Sequence, residues 1–271
     1  MLNNLNRCQL TVACTTNKNY IDYTGAFLRS MSENSPGVNV VVRVVNTTDV
    51  DCLKCIPNIN LHILYDNVSL PQERVVCDED IRSTSYIDAI SIIKHKKRST
   101  VLFKSKEAVY CSNIKFNTIN KLINNKFECV LYLDVDTIVR KDISNLNNIY
   151  NGCDVATYVD KADIGAFTLP DGSTYGGWNA GFMLIHNNIN NKRLFRELEE
   201  KVSKDMFNFD ADEIEFQQLI PKYQPVIRYI DRSYKDNGPN YDIDSHMWSG
   251  QANNKILNDR FTYEYNKYNK S

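Results

Sequence analysis

The segment Cys129-Val130-Leu131-Tyr132-Leu133-Asp134-Val135-Asp136-Thr137-Ile138-Val139 constrains this chain more than any other. Its apolar run reads as a strand buried on both faces, as in a parallel sheet covered by helices. Two aspartates stand at the end of that run. Side chains at i and i+2 of a strand share a face, and a turn at the strand's end lets both carboxylates reach one ion. In open α/β sheets, ligands bind in the crevice outside the carboxyl ends of the strands. Adjacent carboxylates repel each other unless a cation lies between them. A divalent metal that also contacts phosphate oxygens removes that repulsion and neutralises a leaving diphosphate. Asp-x-Asp alone occurs by chance, and the plain alternative is an Asp-rich surface turn. Behind Val-Leu-Tyr-Leu the signal is much stronger.

The rest of the chain has the alternation of an α/β protein. Gln9 to Cys14 reads as a first strand, followed by the polar turn Thr15-Thr16-Asn17-Lys18-Asn19. Ile21, Phe27, Leu28 and Met31 then recur at helical spacing, and Pro36-Gly37 ends the pattern. Val38 to Val45 is a nearly continuous β-branched run, and Leu61 to Tyr65 fits a third strand. Strand, helix, strand, strand at this spacing reads as an α/β nucleotide-binding half. A helix is expected from Ser105 to Asn124, short strands at Asp154–Tyr158 and Trp178–Ile185, and helices from Asn190 to Lys201 and from Asp212 to Ile220, the last stopped at Pro221. The economical arrangement is one mixed α/β domain over 1–271, with a nucleotide-binding half to about 140, a sugar and acceptor half to about 260, and a loose tail. The basic run Lys94-His95-Lys96-Lys97-Arg98 reads first as a solvated helix end or loop, with an anionic acceptor site as the alternative.

Charge excludes one class of function. The 271 residues carry 32 basic and 33 acidic side chains, so nucleic-acid binding through bulk charge is not expected. The first residues, Met1 to Arg7, contain no apolar h-region, and no apolar run approaches the roughly 18 residues of a membrane helix. These features set the expectation of a cytoplasmic protein without a membrane span. The 8 cysteines are scattered, and Cys52-x-x-Cys55 lacks the second pair that a zinc site needs.

In this setting Tyr132-Leu133-Asp134-Val135-Asp136-Thr137-Ile138-Val139 resembles the D-x-D segment of glycosyltransferase family 8, the glycogenin-like enzymes. Other pieces agree in order. Thr15 to Tyr20 is similar to the family's uridine-binding turn. Lys115 stands where the family has a basic residue near the donor phosphates. Asn179-Ala180-Gly181-Phe182 is similar to its N-[AS]-G-hydrophobic segment, and Asp212-Glu213 stands where Asp-Gln is common. His246, Gly250 and Lys255 resemble its H-x-x-G-x-x-K element, with one extra residue before the glycine, a still later lysine and no following Pro-Trp.

The resemblance implies a GT-A fold, a UDP-sugar donor of glucose or galactose, and transfer with retention to a carbohydrate or protein acceptor. It implies Mn²⁺, with Mg²⁺ the alternative, held by Asp134, Asp136 and His246. Lys115 and Lys255 would offset charge on the departing diphosphate. Thr15, Asn17, Asn19 and Tyr20 would cradle uridine. Val135, Asp160, Asn179, Ala180, Gly181, Asp212, Glu213 and Gly250 would complete the donor site. Asp212 is either a nucleophile that forms a glycosyl-enzyme or a residue that orients the sugar while the acceptor attacks the face the diphosphate leaves. The second route is the expectation. Two rivals stand beside this reading. One is a phosphatase of the haloacid dehalogenase type, whose D-x-D usually opens the chain. The other is a nucleotide-sugar-binding protein without catalysis. By family analogy the chain could form a homodimer, and Tyr263, Tyr265 and Tyr268 are candidates for self-glycosylation.

Overall fold

A computed structural model describes residues 2–69, 74–77, 102–158, 167–168, 174–175, 180–204, 206–207, 211–231, 233–236, 242–249 and 259–269. The basic run at 94–98 lies outside them, as do Asp160, Asn179, Gly250 and Lys255. In chain order the described strands and α-helices begin with β1 (Thr11–Asn17), α1 (Ile21–Asn34), β2 (Asn39–Val45), α2 (Asp51–Lys54) and β3 (Asn60–Asp66). The pair β4 (Arg74–Cys77) and β5 (Leu102–Ser105) follows, then α3 (Lys106–Asn113), α4 (Lys115–Asn124), β6 (Cys129–Leu133), β7 (Thr137–Val139), α5 (Leu146–Ile149) and β8 (Val155–Thr157). The remainder comprises β9 (Phe167–Thr168), β10 (Thr174–Tyr175), β11 (Phe182–His186), α6 (Ile189–Lys204), α7 (Ala211–Tyr223), β12 (Ile227–Tyr229), β13 (Lys235–Asp236), β14 (Met247–Ser249) and α8 (Asp259–Tyr268).

Seven strands form the central sheet in the order β12-β8-β11-β6-β1-β2-β3. It is mostly parallel, with β11 antiparallel to both neighbours. The apolar run before the aspartates is therefore central, and its alternation sorts it between two cores. Leu131 and Leu133 join Val12, Cys14, Val40 and Val42 against Phe27, Leu28 and Met31 of α1. Val130 and Tyr132 join Ala13 and Val41 on the other face, against Phe116, Ile119 and Leu122 of α4 and Leu194, Phe195 and Leu198 of α6. Each such side chain contributes on the order of 1.5–3 kcal/mol by leaving water. A strand lined with aliphatic residues on both faces has no other stable place.

Two boundaries differ from the sequence expectation and one matches it. The helix expected over 105–124 is two helices, α3 and α4, with Ile114 between them. The strand expected to end in the two aspartates stops at Leu133, just before them, and a new strand begins at Thr137. Pro221 lies inside α7, which continues to Tyr223. Because Pro221 sits in the helix's last turn, it removes a single hydrogen bond near an end that is already poorly bonded.

A second sheet, β13-β14-β7, carries the chain away from the aspartates. Its β14 runs antiparallel to β7 and parallel to β13. The polar C-terminal segment expected to be loose is α8 over Asp259–Tyr268, and it packs on this sheet and on α1. Phe261 meets Trp248 edge-on at 5.3 Å between ring centroids, and Ile138 and Ala26 complete the cluster. Tyr23 lies 4.9 Å from Tyr265, and Asn34 donates to the Tyr268 hydroxyl at 3.2 Å. The helix face that buries Phe261 and Glu264 explains its order better than its composition does. Among the described residues, no helix is long and apolar enough to cross a membrane.

Candidate active site

The C-terminal ends of β1 and β6 lie side by side. Ala13 pairs with Tyr132 in parallel register, so Thr15 and Asp134 stand two residues further along at the same sheet edge. Thr15 and Asn17 are buried in β1, while Asn19 is exposed and Tyr20 half-buried. Asn17 Oδ1 accepts from the Asn19 amide at 3.0 Å and caps the 3₁₀ turn Lys18–Tyr20. The Thr24 hydroxyl donates to the Tyr20 carbonyl oxygen at 2.8 Å and fixes that turn on α1. The four residues assigned to uridine thus occupy the end of β1 and the turn that follows it, beside the aspartates.

Asp134, Val135 and Asp136 form the bend between β6 and β7. The Asp134 amide donates to the Gly181 carbonyl oxygen at 3.1 Å, extending the β6–β11 ladder by one step beyond Leu133 and Phe182. Val135 is buried and anchors the bend, Asp134 is exposed and Asp136 is half-buried. Beneath the bend, burial first and the Asp134 charge second hold the Tyr132 hydroxyl well above its ordinary pKa.

Ala180 and Gly181 bring the other half of the chain to this edge. Lys115, the first residue of α4, donates from Nζ to the Ala180 carbonyl oxygen at 3.1 Å and to Asp212 Oδ2 at 2.8 Å. Ser112 also donates to Asp212 Oδ2, at 3.1 Å. The Lys115–Asp212 pair is almost inaccessible, with side-chain exposures of 2% and 7%. Its parts come from α4, α7 and the start of β11, so three elements must be in place before it forms. Glu213 follows Asp212 on α7.

His246 lies elsewhere. It precedes β14, and the β14–β7 register sets it opposite Arg140, whose amide donates to the His246 carbonyl oxygen at 2.8 Å. Asp136 flanks the other end of β7, about 13 Å away for four extended residues. The His246 ring stacks on Tyr234 at 4.5 Å, and its Nδ1 lies 3.0 Å from the Ser233 carbonyl oxygen. Its charge acts on Asp142, where burial pushes the carboxyl up but hydrogen bonds from Ser144 and Ser35, aided by His246, hold it below its ordinary value. The three residues expected to share a metal are therefore not together. The antiparallel register of β7 and β14 is the reason.

Among the described residues, no group of three His, Cys, Asp or Glu side chains is arranged to hold a metal. The Asp134/Asp136 bend fits a different mode, in which one or two carboxylates share the cation with substrate phosphates. A residue absent from the sequence reading stands beside it. Lys235 of β13 is 1% exposed, and its Nζ lies 5.3 Å from the Phe182 ring centroid and 5.8 Å from that of Tyr158. Burial pushes the ammonium down to about 8, against the pull of Asp134 and Asp136; the Lys115 charge adds to the lowering. Ser233-Tyr234-Lys235-Asp236 offers no motif, and only the tertiary structure reveals this lysine.

The family profile described as glycosyl transferase family 8 matches residues 11–230, most of the chain and all seven central strands. The chain belongs to glycosyl transferase family 8. Solved glycosyltransferases share the fold of this family 8 member at low identity. GlyE of Streptococcus pneumoniae TIGR4 superposes with a TM-score of 0.57 and 12% identity, covering 98% of this chain and 61% of that one. The bifunctional glycosyltransferase WbbM, in its apo form, gives 0.55 and 14%, covering 95% of this chain and 50% of that one. The family 8 chain thus spans only half to three fifths of these structures' length. No curated protein matches its sequence. The central sheet and these likenesses make the fold GT-A, as the sequence resemblance implied, and membership of the family makes the chain a glycosyltransferase by class.

Proposed function

We propose that the chain transfers a hexose, glucose or galactose, from a UDP-sugar to a carbohydrate or protein acceptor with retention of configuration. The observation that carries this reading is the convergence of the Asn17–Tyr20 turn, the Asp134/Asp136 bend and the Lys115–Asp212 pair at the carboxyl edge of β1, β6 and the start of β11. Uridine fits the turn, and the diphosphate fits the bend. Mn²⁺ or Mg²⁺ bound between Asp134, Asp136 and the diphosphate would supply charge neutralisation for the leaving group.

The protein's own residues then have separable tasks. Asn17 and Thr24 keep the uridine turn rigid before the donor arrives. Lys115 holds Asp212 and the Ala180 carbonyl in one unit, which fixes the wall against which the sugar lies. Asp212 Oδ2 already accepts two hydrogen bonds, one of them from a cation. Those bonds lower its power as a nucleophile and favour an orienting role, with transfer on the face the diphosphate leaves. Its fixed negative charge stabilises positive charge developing at the sugar.

The test is a panel of nucleotide sugars assayed for cation-dependent nucleotide release, with and without simple sugar acceptors. Release from UDP-glucose or UDP-galactose with Mn²⁺ is expected. Hydrolysis of phosphomonoesters in place of nucleotide sugars would revive the phosphatase reading, and binding without release the non-catalytic one.

A further inference from the structure

Among the described residues, Lys235 is a buried cation near the aspartates to which the donor reading assigns no task. Its strand is short, but its position is over-determined. Lys235 pairs in register with Met247 of β14, whose own partner is Val139 of β7. Its ammonium rests against Phe182, which pairs with Leu133, the residue before Asp134. The lysine is thus tied to both sheets that meet at the Asp134–Asp136 bend. A buried ammonium is costly unless negative charge or π-faces compensate it. Here Tyr158, Phe182 and the field of the two aspartates do so. The aspartate pair therefore does not need an added ion to offset all of its repulsion.

We propose that Lys235 is a resident cation of the Asp134/Asp136 site: it opposes a divalent ion in the donor-free protein and attracts the donor's diphosphate. The ligand in this inference rests on the UDP-sugar reading above. The consequence is a site that loads its divalent ion together with the nucleotide rather than ahead of it. With the donor present, phosphate oxygens add negative charge, and the site then accommodates both cations.

Two equilibria separate this role from a packing role. One is Mn²⁺ binding to donor-free protein, followed by the electron paramagnetic resonance of free Mn²⁺. The other is UDP binding in excess chelator, followed by calorimetry. Lys235→Met and Lys235→Gln remove the charge with different packing, while Lys235→Arg keeps it. Both neutral variants should bind Mn²⁺ about tenfold more tightly and chelator-phase UDP about tenfold more weakly, as expected for removal of a unit charge whose field is partly screened. Lys235→Arg should shift neither in that direction. Partial unfolding weakens both equilibria, so the opposite signs are diagnostic, and either neutral variant suffices if the other fails to fold. Unchanged affinities, or changes of the same sign in a folded neutral variant, would overturn the proposal while leaving the UDP reading intact. Wild-type protein that binds no UDP, with or without Mn²⁺, would overturn the UDP reading and this proposal with it.

Discussion

Two buried lysines flank the first residues of β11, and they are held in different ways. Lys115 reaches the Ala180 carbonyl and closes on Asp212, a full ion pair with a second hydrogen bond from Ser112. Lys235 lies against the Phe182 and Tyr158 rings, in the field of Asp134 and Asp136. The first lysine builds a neutral, preformed wall. The second stands in the field of the carboxylates where a diphosphate is proposed to bind. Burial of a cation is thus not one signal: its partners decide whether it holds the scaffold together or faces the ligand.

The largest effect should come from opening the neutral unit. Asp212→Asn should cut turnover by more than about a hundredfold while donor affinity stays within about tenfold, because the lost charge acts mainly on a transition state richer in positive charge than the substrate. It should also destabilise the fold by about 3–5 kcal/mol, since Lys115 is left as an uncompensated buried charge. The double variant Lys115→Met with Asp212→Leu should recover most of that stability and none of the turnover. Steady-state kinetics with denaturant melts measures both. Equal losses in KM and kcat for Asp212→Asn would instead assign the residue to ground-state sugar binding, and a trapped glycosyl adduct on it would overturn same-face transfer.

The fold and the edge that carries this contrast are legible in the sequence, the contrast itself is not, and the reasons are physical. The runs Val38–Val45 and Cys129–Leu133 announce strands covered on both faces because apolar side chains on both faces leave no solvent face. The two aspartates after such a run mark the ligand edge by the same logic. Lys115 was legible through resemblance, but its ion pair was not, because Asp212 is 97 residues away. Lys235 had no signal at all: a lysine between Tyr and Asp reads as surface until its ammonium is seen against the Phe182 and Tyr158 rings. The break at Ile114 was hidden because α3 and α4 continue one apolar pattern across it. Composition also misled at the C-terminus. Nine of the ten residues of α8 are polar or tyrosine side chains, yet Phe261 and the rings around it are enough to dock it.

The second prediction concerns the charged region. Asp136→Asn should weaken cation-dependent UDP binding by about 10–100-fold, the range expected when a metal site loses a supporting carboxylate. Affinity for uridine alone should hardly change, because the Asn17–Tyr20 turn is made without Asp136. Titrations of UDP and uridine with and without Mn²⁺ separate the two. Full cation-dependent activity in Asp136→Asn would remove the main support for the diphosphate assignment.

The smallest expected effect is at His246, and it is the most discriminating between sequence and structure. The resemblance makes this residue a metal ligand, whereas the β7–β14 register holds it beside Arg140 with its ring on Tyr234. His246→Ala should therefore leave Mn²⁺-dependent UDP binding within about twofold of wild type, well short of the loss seen when a ligand or its support is removed. It should still cost about 1 kcal/mol of stability, through the lost stacking and any hydrogen bond from Nδ1 to Ser233. Calorimetric UDP titration and a thermal melt on the same protein give both numbers. A loss of affinity as large as that of Asp136→Asn, without loss of stability, would mean that the donor-bound protein re-registers β14 against β7 and brings the imidazole to the cation.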